Sequence, residues 1–224
     1  MFEWYQANQR LIWLLIESSW ETVAMVLASG FFSVLFGLPV AVLLRETARG
    51  GLFPHALTHK ILSTVVNVGR SIPFIILLVA IIPFTRWLVG TSIGTVATIV
   101  PLAVAAIPFV ARLFEGALME VPSGLTEAAK AMGANSAQIV WKVQLPEALP
   151  GIINAITITL VTLVSYSAMA GVVGGGGLGD VGIRYGYQRF DAGVMLITIA
   201  LLVAFVQFIQ TIGDALVHRV NHRE

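Results

Sequence analysis

The stretch Glu127-Ala128-Ala129-Lys130-Ala131-Met132-Gly133, followed twelve residues on by Leu145-Pro146, is a polar island between two long hydrophobic blocks. Leu125, Ala128, Ala129 and Met132 fall at i, i+3, i+4 and i+7, the spacing of one helical face. Gly133 stands where a left-handed cap would end that helix. Asn135 or Ser136 can cap a second helix carrying Ile139, Val140 and Val143, and Pro146 is expected to stop it, because Leu145 is pushed out of the α region. The first face is mostly alanine, so another backbone could approach it closely, as a docking helix requires.

Working outward, the blocks on either side are membrane material. Of 224 residues, 57% are hydrophobic and 11% charged, where a soluble domain carries about 25% charged residues. The expected class is an all-α polytopic membrane protein in a single domain. A net charge of +1 gives no sign of a nucleic-acid partner, and the absence of cysteine excludes disulfides and thiolate metal sites. The first nineteen residues hold Glu3 and Glu17 and lack a small-residue cleavage site, so no removable leader is expected.

Five spans are expected. Residues 1–18 hold too short an apolar run to cross and, with Trp4, Tyr5, Trp13 and Trp20 in and beside them, read as an interfacial segment. The first span is Thr22–Leu44. The second, about Ile61–Phe84, is interrupted by Arg70 and bent at Pro73, and a short loop follows at Thr85–Arg86. The third lies within Trp87–Ala111, the fourth is about Gly151–Val173 and the fifth about Ala192–Gly213. Residues 214–224 form a tail.

An odd number of spans puts the termini on opposite sides. Segments 45–60, 112–147 and the tail hold eight Lys and Arg; the other set holds four, Arg10, Arg86, Arg184 and Arg189. The positive-inside rule then places the N-terminus outside, and the Glu127 region and C-terminus in the cytoplasm.

The chain carries no machinery for ATP chemistry. The dipeptide Gly-Lys is absent, and the run Gly174-Gly175-Gly176-Gly177-Leu178-Gly179 lacks the Lys and Ser/Thr of a phosphate loop, so it reads as a tight turn at the outer end of the fourth span. His55/His59 and His218/His222 have helical i, i+4 spacing but no further ligand beside them, so no metal is expected. All twelve acids lie at span ends or in loops, which argues against a proton- or sodium-coupled carrier.

Arg70 is the one intramembrane charge, at an insertion cost of about 2.5–3.5 kcal/mol. It either lines a pathway or hydrogen-bonds the carbonyls freed near Pro73. Ser165-Tyr166-Ser167-Ala168-Met169-Ala170-Gly171 offers small residues for close helix packing, or a path lining in which the flexible thioether of Met169 acts as a plug.

The spacing of Glu127-Ala128-Ala129, Gly133 and Leu145-Pro146 resembles the EAA loop of permease subunits in ATP-binding-cassette (ABC) importers, with Val143 where that pattern usually has Ile. Arg70-Ser71-Ile72-Pro73-Phe74, Val89-Gly90-Thr91-Ser92-Ile93-Gly94, Ser165–Gly179 and Arg184-Tyr185-Gly186-Tyr187 look like the methionine-importer branch, a likeness covering about residues 19–213. The resemblance implies an ABC type-1 permease domain over 19–213, with a cytoplasmic coupling loop at about 115–150. It implies a homodimer in the bacterial inner membrane, two cytoplasmic ATPase subunits that hydrolyse the ATP, and an extracytoplasmic lipoprotein that delivers L- or D-methionine. This chain would then be a translocation subunit, not an enzyme, and would need no cofactor. Glu127, Ala128, Ala129, Met132, Gly133, Leu145 and Pro146 would couple it to the ATPase; Arg70, Pro73, Ser165, Tyr166 and Met169 are the path and gate candidates. Two alternatives stay open: the same machine for a polar amino acid or quaternary amine, and an ATPase-independent channel.

Overall fold

The computed structural model describes residues 2–220, with side chains from residue 9 onward. Among them every regular element is helical. In chain order they are α1 (Phe2–Thr47), α2 (Ala56–Ser71), α3 (Phe74–Ala80), α4 (Ile82–Val89), α5 (Thr95–Met119), α6 (Ser123–Ala131) and α7 (Ser136–Ile139). A π-helical turn (Val140–Gln144), α8 (Leu145–Glu147) and α9 (Leu149–Ala170) follow, then a 3-10 turn (Gly171–Val173), α10 (Gly177–Val181), a second π-helical segment (Gly182–Tyr187) and α11 (Ala192–Val220). Four stretches are long and apolar enough to cross a bilayer: Gln9–Thr47, Thr95–Met119, Leu149–Val173 and Ala192–Val220. A fifth exists if the pair α2 and α3, bent by 99° at Ile72-Pro73, counts as one broken span.

Several boundaries differ from the expectations. The helix of the first span is unbroken back to Phe2, because nothing between residues 10 and 38 is a proline or a cap, and Ser19 and Thr22 return their hydroxyls to the carbonyls of Leu15 and Ser18 within the helix. The side chains of Trp4 and Tyr5 lie outside the described residues. The second span is broken more sharply than a kink, since Pro73 cannot donate and forces Ile72 into an extended conformation. The expected loop at Thr85–Arg86 is helical, inside α4. The turn comes later, at Gly90–Gly94, so the third span starts at Thr95 and runs eight residues past Ala111 to Met119. It carries Arg112 inside a helix instead of a loop.

The chain forms two compact units. One comprises Met1–Phe31, Pro73–Val104 and Leu160–Ile209; the other comprises Phe32–Ile72, Ala105–Thr159 and Gln210–Glu224. In the second, Ala41, Val110, Phe114, Ala117, Leu118, Val121, Ala148, Ile152 and Ala155 make one core from α1, α5 and α9. Lipid tails are as apolar as leucine, so this core is held by close packing more than by exclusion of water. Alanines at four of its nine positions let the helices approach. A smaller cluster of Leu44, Val66 and Ala111 joins α2 to it. In the first unit Met25, Val26, Leu102, Leu163, Leu178 and Val181 are almost wholly buried.

The turn between α1 and α2 is built by buried Glu46, whose Oε2 accepts the Leu52 amide at 2.7 Å. The paired histidines do not share a ligand. His55 caps α2 by accepting the Thr58 amide on Nδ1 at 3.2 Å, while the Nδ1 of His59 lies 3.1 Å from the Leu44 carbonyl. His222 lies outside the described residues.

Candidate functional site

The segment from α6 to the first turns of α9, residues 123–159, lies within the second unit and is a tight turn with one open edge. α6 ends in a Schellman closure: the Ala134 amide donates to the Ala129 carbonyl at 3.1 Å and the Gly133 amide to the Lys130 carbonyl at 2.9 Å. Gly133 has φ +83°, the left-handed conformation expected of it. Asn135 is the residue that caps α7, in a reciprocal box in which Asn135 Oδ1 accepts the Gln138 amide and Gln138 Oε1 the Asn135 amide, both at 2.9 Å.

Pro146 does not stop the helix. Its missing N–H and its ring would break an α-helical register, and the chain meets this by widening to a π turn, with the Leu145 amide reaching back five residues to the Val140 carbonyl. Helical structure then continues through Pro146 into α9, so the loop is joined to the fourth span without a flexible break. Ile139 and Val140 are buried on this segment, while Val143 is half-buried.

The face read from the spacing is divided in two. Ala129 is 3% exposed, on the side of α6 that packs on the π turn. Leu125, Ala128 and Met132 stand open, Met132 at 82% exposure, and Glu127 beside them has no hydrogen bond or ion pair among the described residues. A small residue flanked by two long flexible apolar ones is a surface on which another backbone can seat.

The path candidates fall in different units. In the first, Tyr166 is half-buried and stacks flat on Phe74, with ring centroids 4.6 Å apart, and Pro73 is the residue that starts α3. Ser165 is exposed, and Met169, in the last turn of α9, is 40% exposed. Ser167 is buried and returns its hydroxyl to the Val164 carbonyl. In the second unit Arg70 is exposed at the end of α2. It has no hydrogen bond among the described residues, so it does not hold the carbonyls near Pro73.

The structure adds residues that motif reading missed. Glu21 Oε2 accepts the Gly177 amide at 2.6 Å, and Thr22 Oγ1 accepts the Leu178 amide at 2.9 Å, which ties the glycine run to α1. The run turns tightly, as expected, and then re-enters helix. Gly171 has no room for a side chain there: a Cβ would lie 2.3 Å from the Asp180 amide nitrogen. Asp180 is buried and pairs with Arg184, whose Nε donates to Oδ2 at 2.7 Å; this bond holds the guanidinium pKa above its usual value. Arg112 is the other: it ties α5 to α2 through Ser63 and Asn67. The signal for both was a polar residue at helical register inside an apolar run, Glu21 near the start of one and Arg112 near the end of another.

Residues 33–222 match the family model described as the binding-protein-dependent transport system inner membrane component. A probable D-methionine transport system permease protein MetI from Vibrio cholerae is 56% identical over 99% of this chain and 97% of its own length. The D-methionine transport system permease protein MetI of Escherichia coli K12 is 58% identical over 73% of this chain and 76% of its own. Among solved structures, a chain of the MetNI methionine ABC transporter in inward-facing conformations superposes with a TM-score of 0.94 at 56% identity, over 95% of this chain and 99% of that one. An amino-acid ABC transporter with histidines, at 19% identity and a TM-score of 0.75, shares the fold. With helices and close relatives in agreement over nearly its whole length, this chain belongs to the family of inner membrane components of binding-protein-dependent transport systems, in the branch that holds the MetI permeases.

Proposed function

We propose that this chain is the permease subunit of an ATP-driven importer for methionine, L- and D-, in the bacterial inner membrane. It is a membrane permease and not itself an ATPase; the hydrolysis belongs to partner ATP-binding-cassette subunits. The observation that carries the substrate is the near end-to-end match at 56% identity to a methionine-transporter chain. The open edge of α6 supports the coupling role: Glu127, Ala128, Ala129, Met132 and Gly133 seat the ATPase, and the stiff passage through Leu145 and Pro146 carries its movement into α9.

The rest of the assembly follows from this reading. Two copies meet around the solute route, an extracytoplasmic lipoprotein delivers methionine, and alternating access moves it, with Met169, Tyr166, Ser165, Arg70 and Pro73 along the path. The N-terminus is outside and the loop at about 115–150 is cytoplasmic, as is the tail at 214–224. The apolar part of α1 spans 39 residues, about 58 Å of helix, nearly twice a hydrocarbon core, which supports residues 1–18 as an interfacial lead into a domain over 19–213.

Uptake of radiolabelled methionine into vesicles holding this chain, its ATPase subunits and the binding protein tests the proposal. ATP-dependent accumulation of methionine is the expected result. Accumulation of a polar amino acid or quaternary amine in its place would reassign the solute, and flux without ATPase subunits would make the chain a channel.

A further inference from the structure

α2 has three distinct flanks. Leu57, Ile61, Val65, Val68 and Ile72 recur at helical spacing and are all exposed, the pattern of a face turned to lipid. Leu62, Val66 and Gly69 face the protein: Val66 packs with Leu44 and Ala111, and a Cβ on Gly69 would meet Pro108 at 3.1 Å. The remaining third carries Lys60, Ser63, Thr64, Asn67, Arg70 and Ser71, all polar and all but Ser63 exposed. A continuous polar flank on a membrane helix belongs in water, because lipid cannot satisfy it.

Within that flank the hydrogen bonds leave a specific set of donors free. Arg112 of α5 donates to Asn67 Oδ1 at 2.7 Å, to Ser63 Oγ at 3.0 Å and to Glu115 Oε2 at 2.6 Å. Glu115 is buried and neutralises it. With Oδ1 committed to Arg112, the Asn67 amide is oriented, and both N–H donors of its Nδ2 turn away from Arg112. One turn on, at i+3, stands Arg70, charged, exposed and without a partner among the described residues. A primary amide and a guanidinium one helical turn apart on a wet flank present convergent donors and one net positive charge. Carboxylate is the group that matches both.

We propose that Arg70 and the Asn67 carboxamide form a carboxylate-binding station on the water-lined flank of α2, with Arg112 as the residue that positions Asn67. Resting on the reading of the chain as an amino-acid permease, the group taken is the α-carboxylate of a zwitterion on its way through. The solute's apolar side chain makes no demand on this flank.

The chain has no cysteine, so a single one reports cleanly. Ser71→Cys, beside Arg70, is placed in the transporter with its ATPase subunits in vesicles. It is labelled with the anionic methanethiosulfonate ethylsulfonate and with the cationic trimethylammonium reagent. Relative to a free thiol, the anion is expected to be favoured. Arg70→Gln in that background should shift the ratio toward the cation, slowing the anion and speeding the cation by up to about fivefold each, the size of one unit charge nearby in water. Asn67→Asp keeps the acceptor for Arg112 but reverses what faces Arg70, and should shift the ratio the same way. Arg112→Lys cannot hold all three partners and should weaken the anion preference while ATP hydrolysis persists. Millimolar methionine should slow labelling, whereas 3-(methylthio)propylamine, the same side chain without a carboxylate, should not. Val68→Cys, on the lipid flank, should not react.

An unreactive Ser71→Cys, a ratio untouched by Arg70→Gln, or equal protection by the amine would overturn the station. If wild-type vesicles accumulate no methionine, the transport reading falls while these ratios still decide the station. If Arg70→Gln transports methionine at the wild-type rate, the station falls and the transport reading stands.

Discussion

The Glu21 carboxylate accepts the Gly177 amide at 2.6 Å, across 156 residues of sequence, and so pins the start of α10 to α1. The neighbouring Thr22 does the same for Leu178. Without Glu21 the Gly177 amide, which belongs to a buried residue, has no partner in place. Glu21→Ala should cost about 1–3 kcal/mol of local stability. The expected sign is faster proteolytic cleavage within residues 174–190 in membranes, with α5 and α11 unaffected; an unchanged cleavage rate would show that the Thr22 bond alone holds the loop.

Gly133 has open space where a Cβ would go, so its requirement is conformational alone. Gly133→Val should strain the turn by roughly 1–2 kcal/mol or more and misdirect α6 relative to α7. Methionine uptake should fall severalfold while insertion and dimerisation persist. Gly133→Asn, which tolerates the left-handed region, should recover most of the uptake. Full transport by a well-inserted Gly133→Val protein would remove this turn from the coupling route.

Met169 stands at the end of α9, the helix that continues from the α6–α8 segment. If the two copies meet there, Met169→Cys should crosslink across the dimer in the resting state and less so when ATP closes the ATPase pair. Met169→Ala should raise the ATP hydrolysed per methionine moved. Absence of any crosslink in either state, with transport intact, would take Met169 away from the axis.

The topology can be read with an impermeant thiol reagent on single cysteines. Asn8, whose side chain lies outside the described residues, should label from outside in intact cells. Ala137, exposed on α7 and free of the Asn135–Gln138 capping box, should label only after permeabilisation. External labelling at residue 137 would reverse the orientation.

Legibility in the sequence followed the range of each interaction. The Gly133 turn, the cap before α7 and the helical runs of the fourth and fifth spans were readable because each depends on residues within one or two turns of one another. The π turn at Val140–Gln144 was not, although its cause, Pro146, is local. A proline withdraws one hydrogen bond, and whether the chain stops or widens depends on what holds the helix on either side; here buried Ile139, Ala148 and Ile152 keep it going. Arg112 shows the same limit from the other direction. A charge at the end of an apolar run reads as a loop, but Ser63, Asn67 and Glu115 satisfy it inside the helix; Glu115 stands one turn along α5, whereas only packing α2 on α5 brings Ser63 and Asn67 to it. Composition and local spacing were enough for the apolar spans, the helices and the Gly133 turn, because lipid demands helix and glycine demands a cap. The partners of Glu21, Arg112 and Tyr166 were left to the tertiary structure, because each bond joins residues that are remote along the chain and adjacent only once the helices have packed.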